Sequence, residues 1–190
     1  KDLGVKRIIA PSAVGSLKKE IAPGDFLVPD QFVNMTHGRD DSFYHSETVH
    51  ISAAEPYCPE LRRLIIEEGK NNGLKIHEKG TSVIINGPRF ASRAESDFFR
   101  TLGDIINMTQ YPEMMLAREQ EICYANISLI TDYDTGLKDD PTIKPVTIEE
   151  VLRVLNENNE KIKKLIFDMV PKIPDERKCV CSNALQGAKI

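Results

Sequence analysis

EICYANISLITDYD, residues 121–134, opens as an apolar run over 122–130 and stops at Thr131-Asp132-Tyr133-Asp134. A run of this length, rich in Ile and closed by polar residues, predicts a strand buried on both faces of an α/β sheet. Residues just past such a strand lie at its carboxyl end, where open α/β sheets hold their ligands. Two carboxylates at i, i+2 in an extended segment point to one side. Asp132 and Asp134 are therefore candidates to address two neighbouring groups of one ligand. The same pair also reads as a solvated turn or a helix cap.

Working outward, the 190 residues suffice for one domain with a substantial core, and 41% are hydrophobic. A net charge of −4, with basic residues neither in excess nor clustered, argues against a nucleic-acid partner. No stretch approaches the ~20 apolar residues of a membrane span, and no secretory signal opens the chain. The expectation is a soluble, cytoplasmic protein. Lys1-Asp2-Leu3-Gly4 reads as the last turn of a helix closed by glycine, so an upstream segment is expected.

Residues 5–10 predict a short strand running into Pro11-Ser12-Ala13-Val14-Gly15-Ser16, a loop of small residues whose N–H groups and hydroxyl suit an anion. Residues 26–35 predict another strand. The polar stretch 36–47 reads as a loop, and its histidines lack zinc-like spacing, so no metal is expected there. Pro59 opens a helix ending at Gly69 or Gly73. Residues 75–85 predict two strands turning at Lys79-Gly80. Ser92-Arg93-Ala94-Glu95 is a capping box, followed by a strand near 104–108 and a helix near 112–120.

Beyond the first stretch, 136–145 is charged and irregular and reads as a lid. Thr147-Ile148-Glu149-Glu150 is a second capping box. Its helix is expected to bury Ile148, Val151, Leu152, Leu155, Ile162, Leu165, Ile166 and Met169, and Pro171 stops it. Strands alternating with helices give an α/β fold, a three-layer α/β/α sandwich on a central mixed sheet, in a single domain over 1–190.

Several stretches occur in an order that carries a resemblance. They are Ser12-Ala13-Val14-Gly15-Ser16-Leu17, Pro23-Gly24-Asp25, Ala54-Glu55-Pro56-Tyr57-Cys58-Pro59, Gly87-Pro88-Arg89-Phe90, Ser92-Arg93-Ala94-Glu95-Ser96, Ile106-Asn107-Met108-Thr109 and Thr131-Asp132-Tyr133-Asp134. Together they resemble the 5′-methylthioadenosine phosphorylases of the trimeric purine nucleoside phosphorylase superfamily, over nearly the whole chain.

The resemblance implies a pentosyltransferase of purine and methionine salvage: phosphate attacks C1′ and releases adenine and 5-methylthioribose 1-phosphate. Phosphate is then a co-substrate and no cofactor or metal is needed. The leaving base needs its developing charge neutralised, so Asp132, with a raised pKa, would share a proton with N7. Asp134 would accept from the exocyclic amino group. Relatives acting on 6-oxopurines carry an amide at the first aspartate and a glutamate near Ser92, so this chain falls on the adenine side.

Phe90 would pack on the nucleoside, with Met108 beneath the ribose and Ile106, Asn107 and Thr131 lining the pocket. Ser12, the N–H of Ala13 and Thr109 would hold phosphate. Ile148, Val151 and Leu152 would form the apolar wall for the methylthio group, which has no use for a polar partner. His50 would reach a neighbouring subunit's pocket in a homotrimer or a dimer of trimers.

The pattern is broken in two places. The family's N-terminal glycine-rich loop and Arg-His pair, which complete the phosphate site, have no counterpart, so an N-terminal part is taken to be absent. Leu102-Gly103-Asp104 is one residue shorter than usual, which threatens the register of the Ile106 strand.

Cys58, Cys123, Cys179 and Cys181 are even in number. The Lys, Glu and Ile content fits a hyperthermophilic archaeal source, where cytosolic disulfides occur. Cys58–Cys123 and Cys179–Cys181 bridges are expected, against four reduced thiols; zinc is disfavoured because Cys179-Val180-Cys181 lacks a compact second pair. Three other functions remain open: a broad purine nucleoside phosphorylase acting on adenosine, inosine or guanosine, a nucleosidase that uses water in place of phosphate, and a non-catalytic nucleoside-binding subunit.

Overall fold

The computed structural model describes residues 1–137 and 140–189. The expected strand at 121–134 is β7, Cys123–Asp132, and all ten of its residues are buried. Its side chains alternate between two cores, as the two-residue repeat of a strand requires. Cys123, Ala125, Ile127 and Leu129 face one core. Tyr124, together with Ile122 just before the strand, faces another.

The first core is closed by α1 (Pro59–Asn71) through Leu61 and Ile65 and by α4 (Ile148–Met169) through Ile162, Leu165 and Met169. The second is closed by α3 (Gln110–Glu119) through Met114 and Ala117. Helices on both faces of the sheet give the α/β/α arrangement. Each fully buried Leu or Ile contributes about 1.5–3 kcal/mol.

The sheet has seven strands in the order β3-β5-β6-β1-β7-β2-β4. These are β1 (Arg7–Ser16), β2 (Phe26–Leu27), β3 (Gln31–Asn34), β4 (Ile76–His77), β5 (Thr81–Ile84), β6 (Ile105–Asn107) and β7. The β1–β7 pair is parallel, from Arg7 opposite Cys123 to Val14 opposite Ile130, and a register shift between Val14 and Gly15 sets Gly15 opposite Asp132. β6 joins β1 antiparallel at Gly15 and Ser16, and β2 joins β7 antiparallel. The sheet is mixed, as expected.

Three expected elements differ. The loop expected at 11–16 continues β1. Pro11 sits inside the strand because β6 does not pair there, so its missing N–H leaves no second neighbour unserved. The strand expected over 26–35 is two strands on opposite sides of the sheet, broken at Val28-Pro29-Asp30. Asp30 instead caps the next crossing, accepting from the Gly80 N–H at 2.9 Å. The hairpin expected over 75–85 does not form. β4 pairs with β2 and β5 with β3 and β6, all parallel, so Lys79-Gly80 leads from one side of the sheet to the other.

The helices follow their signals more closely. α1 begins at Pro59, and Gly73 just past its end takes φ 68. α2 (Arg93–Phe99) carries both bonds of the capping box, Glu95 N–H to Ser92 Oγ at 3.2 Å and Ser92 N–H to Glu95 Oε2 at 2.7 Å. At α4 only half of the second box forms: Thr147 Oγ1 accepts from Glu150 N–H at 3.2 Å, while Glu150 pairs with Arg153.

The buried stripe of α4 is Val154, Asn158, Ile162, Leu165 and Met169. Ile148 and Leu152, expected in it, are 60% and 49% exposed. Asn158 is tolerated because Nδ2 donates to Val154 O and Oδ1 accepts from Lys161, each at 2.8 Å.

The four cysteines are free and buried, which overturns both expected bridges. Cys123 Sγ instead lies 3.4 Å from Cys179 Sγ, a pair that neither expected bridge joins. No helix among the described residues is long and apolar enough to cross a membrane. The lid expectation over 136–145 includes Lys138 and Asp139, which lie outside the described residues. Beside them, Val146 N–H donates to Asp134 O at 2.7 Å, fastening that stretch to the end of β7.

Candidate active site

The carboxyl ends of the parallel pair β1 and β7 meet the end of β6, and a cavity of ≈ 360 Å³ opens there. Its floor is Ser12, Ala13, Val14 and Gly15 from β1, Ile106 and Asn107 from β6, and Thr131 and Asp132 from β7. Met108 and Thr109 follow β6, Phe90 and Ala91 precede α2, Val151 comes from α4, and Asp134 closes the end. The lining is mostly apolar with a few polar groups at one side, the usual character of a small-molecule site. The short Leu102-Gly103-Asp104 connection leaves Ile106, Asn107, Met108 and Thr109 at this cavity.

Asp132 and Asp134 are 8% and 2% exposed. Asp132 is the last residue of β7, whereas Asp134 has φ 53, so a left-handed turn rather than an extended segment brings them together. The Asp134 N–H donates to Asp132 Oδ1 and the Thr131 hydroxyl to Asp132 Oδ2, both at 2.7 Å. Asp134 Oδ2 is buried with no partner among the described residues.

Burial pushes both carboxyls above the usual carboxylate range. For Asp132 the Thr131 hydroxyl and Asp134 N–H oppose that rise without cancelling it. For Asp134, Ser96 opposes it while the adjacent Asp132 charge adds to it. Carboxyls raised by desolvation inside a cavity keep their proton to higher pH and are suited to proton transfer.

On the opposite side, Ser12 donates to Asn126 Oδ1 at 3.2 Å, and Ser128 donates to the same oxygen at 2.7 Å. Gln110 Nε2 continues the chain to Ser128 at 3.3 Å, and the Tyr57 hydroxyl donates to Gln110 Oε1. Asn107 Oδ1 accepts from the Thr109 and Gln110 N–H groups at 2.7 and 2.8 Å. Asn107 thus shapes the turn that carries Thr109. Two hydroxyls, Ser12 and Thr109, are left at the cavity with their backbones fixed.

Eleven of the residues expected at the site therefore line one cavity: Ser12, Ala13, Phe90, Ile106, Asn107, Met108, Thr109, Thr131, Asp132, Asp134 and Val151. Phe90 is 42% exposed and belongs to the cavity rather than to a core cluster. Ile148, Leu152 and His50 are exposed and do not line it. Ser92 is spent on capping α2.

Gly15 went unnoticed as a site residue. A Cβ there would stand 2.8 Å from Ile106 Cγ2 and 2.9 Å from Asp132 Oδ1, so only glycine lets the carboxylate come this close. A glycine inside a strand was the available signal. Asn126 was also missed, since one polar residue in an apolar run carries no sign of what it holds.

The phosphorylase superfamily model matches residues 1–171. The chain belongs to this superfamily. Among its relatives, S-methyl-5′-thioadenosine phosphorylase of Pyrococcus abyssi is 53% identical over 97% of this chain and 70% of its own length. The corresponding protein of Thermofilum pendens is 52% identical over 100% of the chain and 71% of its own. A methylthioadenosine phosphorylase from Schistosoma mansoni in complex with adenine superposes with a TM-score of 0.91 at 30% identity, covering 99% of this chain and 74% of that one. The superfamily's α/β architecture is thus matched in both sequence and coordinates, and the chain spans about 70% of the length of these archaeal relatives.

Proposed function

We propose that the protein catalyses phosphorolysis of 5′-methylthioadenosine, yielding adenine and 5-methylthioribose 1-phosphate. The observation that carries this reading is the buried Asp132–Asp134 pair in an apolar cavity, with two hydroxyls on the far side. The names of the archaeal relatives support the same substrate.

In this reading an oxygen of inorganic phosphate forms the bond to C1′ while the C1′–N9 bond breaks and its electron pair leaves with the base. A protonated Asp132 gives its proton to N7, so adenine departs neutral. Asp134 Oδ2, buried and without a partner, accepts from the exocyclic amino group. Leaving that oxygen unpaired would cost about 1–3 kcal/mol, and a 6-oxopurine, with an acceptor at that position, would not relieve it.

Ser12, the Ala13 N–H and Thr109 serve phosphate. Phe90 and Met108 contact base and ribose, and Val151 contacts the methylthio group. No oxidation state changes, so the chemistry calls for no redox cofactor. A homotrimer or a dimer of trimers, in which a second copy covers exposed Ile148 and Leu152 and meets His50, completes the reading; light scattering of the purified protein tests it.

Adenine release from 5′-methylthioadenosine by the full-length protein, with and without phosphate, tests the chemistry. Release that requires phosphate is expected. Phosphate-independent release would mean hydrolysis, and nucleoside binding without release would leave a binding subunit.

A further inference from the structure

Four cysteines meet at the end of β7 opposite to the carboxylate pair, nine residues away along the strand and so about 30 Å distant. Cys58 is the N-cap of α1, Cys123 is the first residue of β7, and Cys179 and Cys181 come from the 3₁₀ turn Val180–Asn183 and its cap. Their sulfurs all lie within 4.8 Å of one another, and all four side chains are buried. Two disulfides would draw the sulfurs into two short pairs. Here they form one cluster. A tetrahedron with metal–sulfur bonds of about 2.3 Å has edges of about 3.8 Å, a value between the 3.4 Å of Cys123–Cys179 and the 4.8 Å that bounds the whole cluster.

We propose that Cys58, Cys123, Cys179 and Cys181 bind one zinc-class divalent ion as a closed tetrathiolate site that pins the C-terminal segment to the sheet. The objection raised by the sequence, that the C-x-C pair lacks a compact partner pair, is answered by the fold. Cys58 N–H donates to Tyr124 O at 2.8 Å and Cys123 N–H to Lys6 O at 3.0 Å, so the second pair is assembled by backbone from sequence-distant segments.

A divalent ion binding here would displace the thiol protons and take all four sulfurs.

Four protein ligands leave no open position, which marks a structural ion rather than a catalytic one. The segment it would hold is also joined to the body by hydrogen bonds, among them Lys178 N–H to Glu60 Oε1 at 2.7 Å, Arg177 to Glu121 O at 2.6 Å and His50 N–H to Ala188 O at 2.7 Å.

The test uses full-length protein purified under reducing conditions. Metal content is measured, and Co²⁺ is added to the metal-free form. Expected are one ion per chain, the absorption of tetrahedral cobalt–thiolate, four sulfur neighbours at about 2.3 Å by X-ray absorption, and proton release on binding. Cys181→Ser should weaken Co²⁺ binding at least tenfold and chelation should lower Tm. Reduced wild-type protein that takes up neither Zn²⁺ nor Co²⁺ would overturn the proposal, as would two disulfides by mass spectrometry in protein isolated without reductant. Both of these readings are made on the wild type and do not depend on a variant folding.

Discussion

The Asp134 N–H points back onto Asp132 Oδ1 at 2.7 Å, so the backbone of one carboxylate residue holds the side chain of the other. This single bond fixes the spacing of the pair. It also occupies Asp132 from the protein side, leaving Asp134 Oδ2 as the buried acceptor with nothing yet to accept. The left-handed φ of Asp134 is what allows the bond, and Asp is one of the few residues that takes that conformation readily.

Asp132→Asn keeps the shape and removes the proton donor, and should lower kcat about 10²–10⁴-fold while leaving binding of 5′-methylthioadenosine nearly intact. Asp134→Ala should raise KM for the nucleoside as well, because it removes the amino-group acceptor. Steady-state kinetics with both variants checks the division of labour. Equal losses in kcat alone would contradict it.

Burial raises both carboxyls above 3.8, so each folded-state pKa exceeds its unfolded value. Their contribution to stability is therefore full below pH 3.8 and is lost as pH rises through the folded values. At neutral pH the pair destabilises the fold, and Asp132→Asn should raise Tm there, with the gain fading in acid. In wild type kcat should fall on the alkaline side, where the acid form is lost. A Tm of Asp132→Asn below wild type at pH 7 would count against the argument.

Much of this arrangement was written locally. Residues 122–130 could be read as a buried strand because an apolar run needs no partner to be recognised, and Ser92 with Glu95 announced their helix because capping is a contact three residues long. The misreadings share a cause. Phe26 and Val33 lie in one expected strand, yet β2 and β3 take opposite sides of the sheet, a choice made by which strands they pair with. Ile76 and Val83 flank a plausible turn and still do not pair. Ile148 and Leu152 fit the helical stripe, but α4 begins beyond the edge of the core, so burial starts at Val154. The cysteine cluster joins positions from 58 to 181, a relation that spacing alone does not carry.

Gly15→Ala would force its methyl within 2.9 Å of Asp132 Oδ1 and 2.8 Å of Ile106 Cγ2. Overpacking of this kind costs about 1–3 kcal/mol, and displacing a reacting group by as little as 1 Å can cost about 10²-fold in rate. The variant should fold with a lowered Tm and lose roughly that much in kcat/KM. Wild-type activity would show that the carboxylate can move freely.

Ser12→Ala removes one hydroxyl from the phosphate side and releases the Asn126 oxygen it bonds at 3.2 Å. A hydrogen bond to a charged group is worth about 1.5–3 kcal/mol, so KM for phosphate should rise roughly ten- to a hundredfold. Thr109→Ala should act in the same direction. KM for the nucleoside should stay within about threefold. Phosphate saturation curves at fixed nucleoside decide this, and a change confined to the nucleoside KM would move both hydroxyls to the sugar.

Val151 is the part of the expected apolar wall that lines the cavity, while Ile148, about one turn before it, and Leu152, the next residue, are exposed. Val151→Ser offers a hydroxyl where the methylthio group would lie and withdraws apolar contact. The ratio of kcat/KM for 5′-methylthioadenosine over adenosine should fall about ten- to two-hundredfold, the range that one small group in an apolar pocket commands. Leu152→Ala should leave the ratio unchanged in a monomer and alter it only where a neighbouring copy folds that side chain into the pocket. Competition between the two nucleosides, run with light scattering on the same samples, separates these cases. A ratio that moves with Leu152 but not with Val151 would place the sulfur against the helix's outer face and displace the pocket from the cavity described.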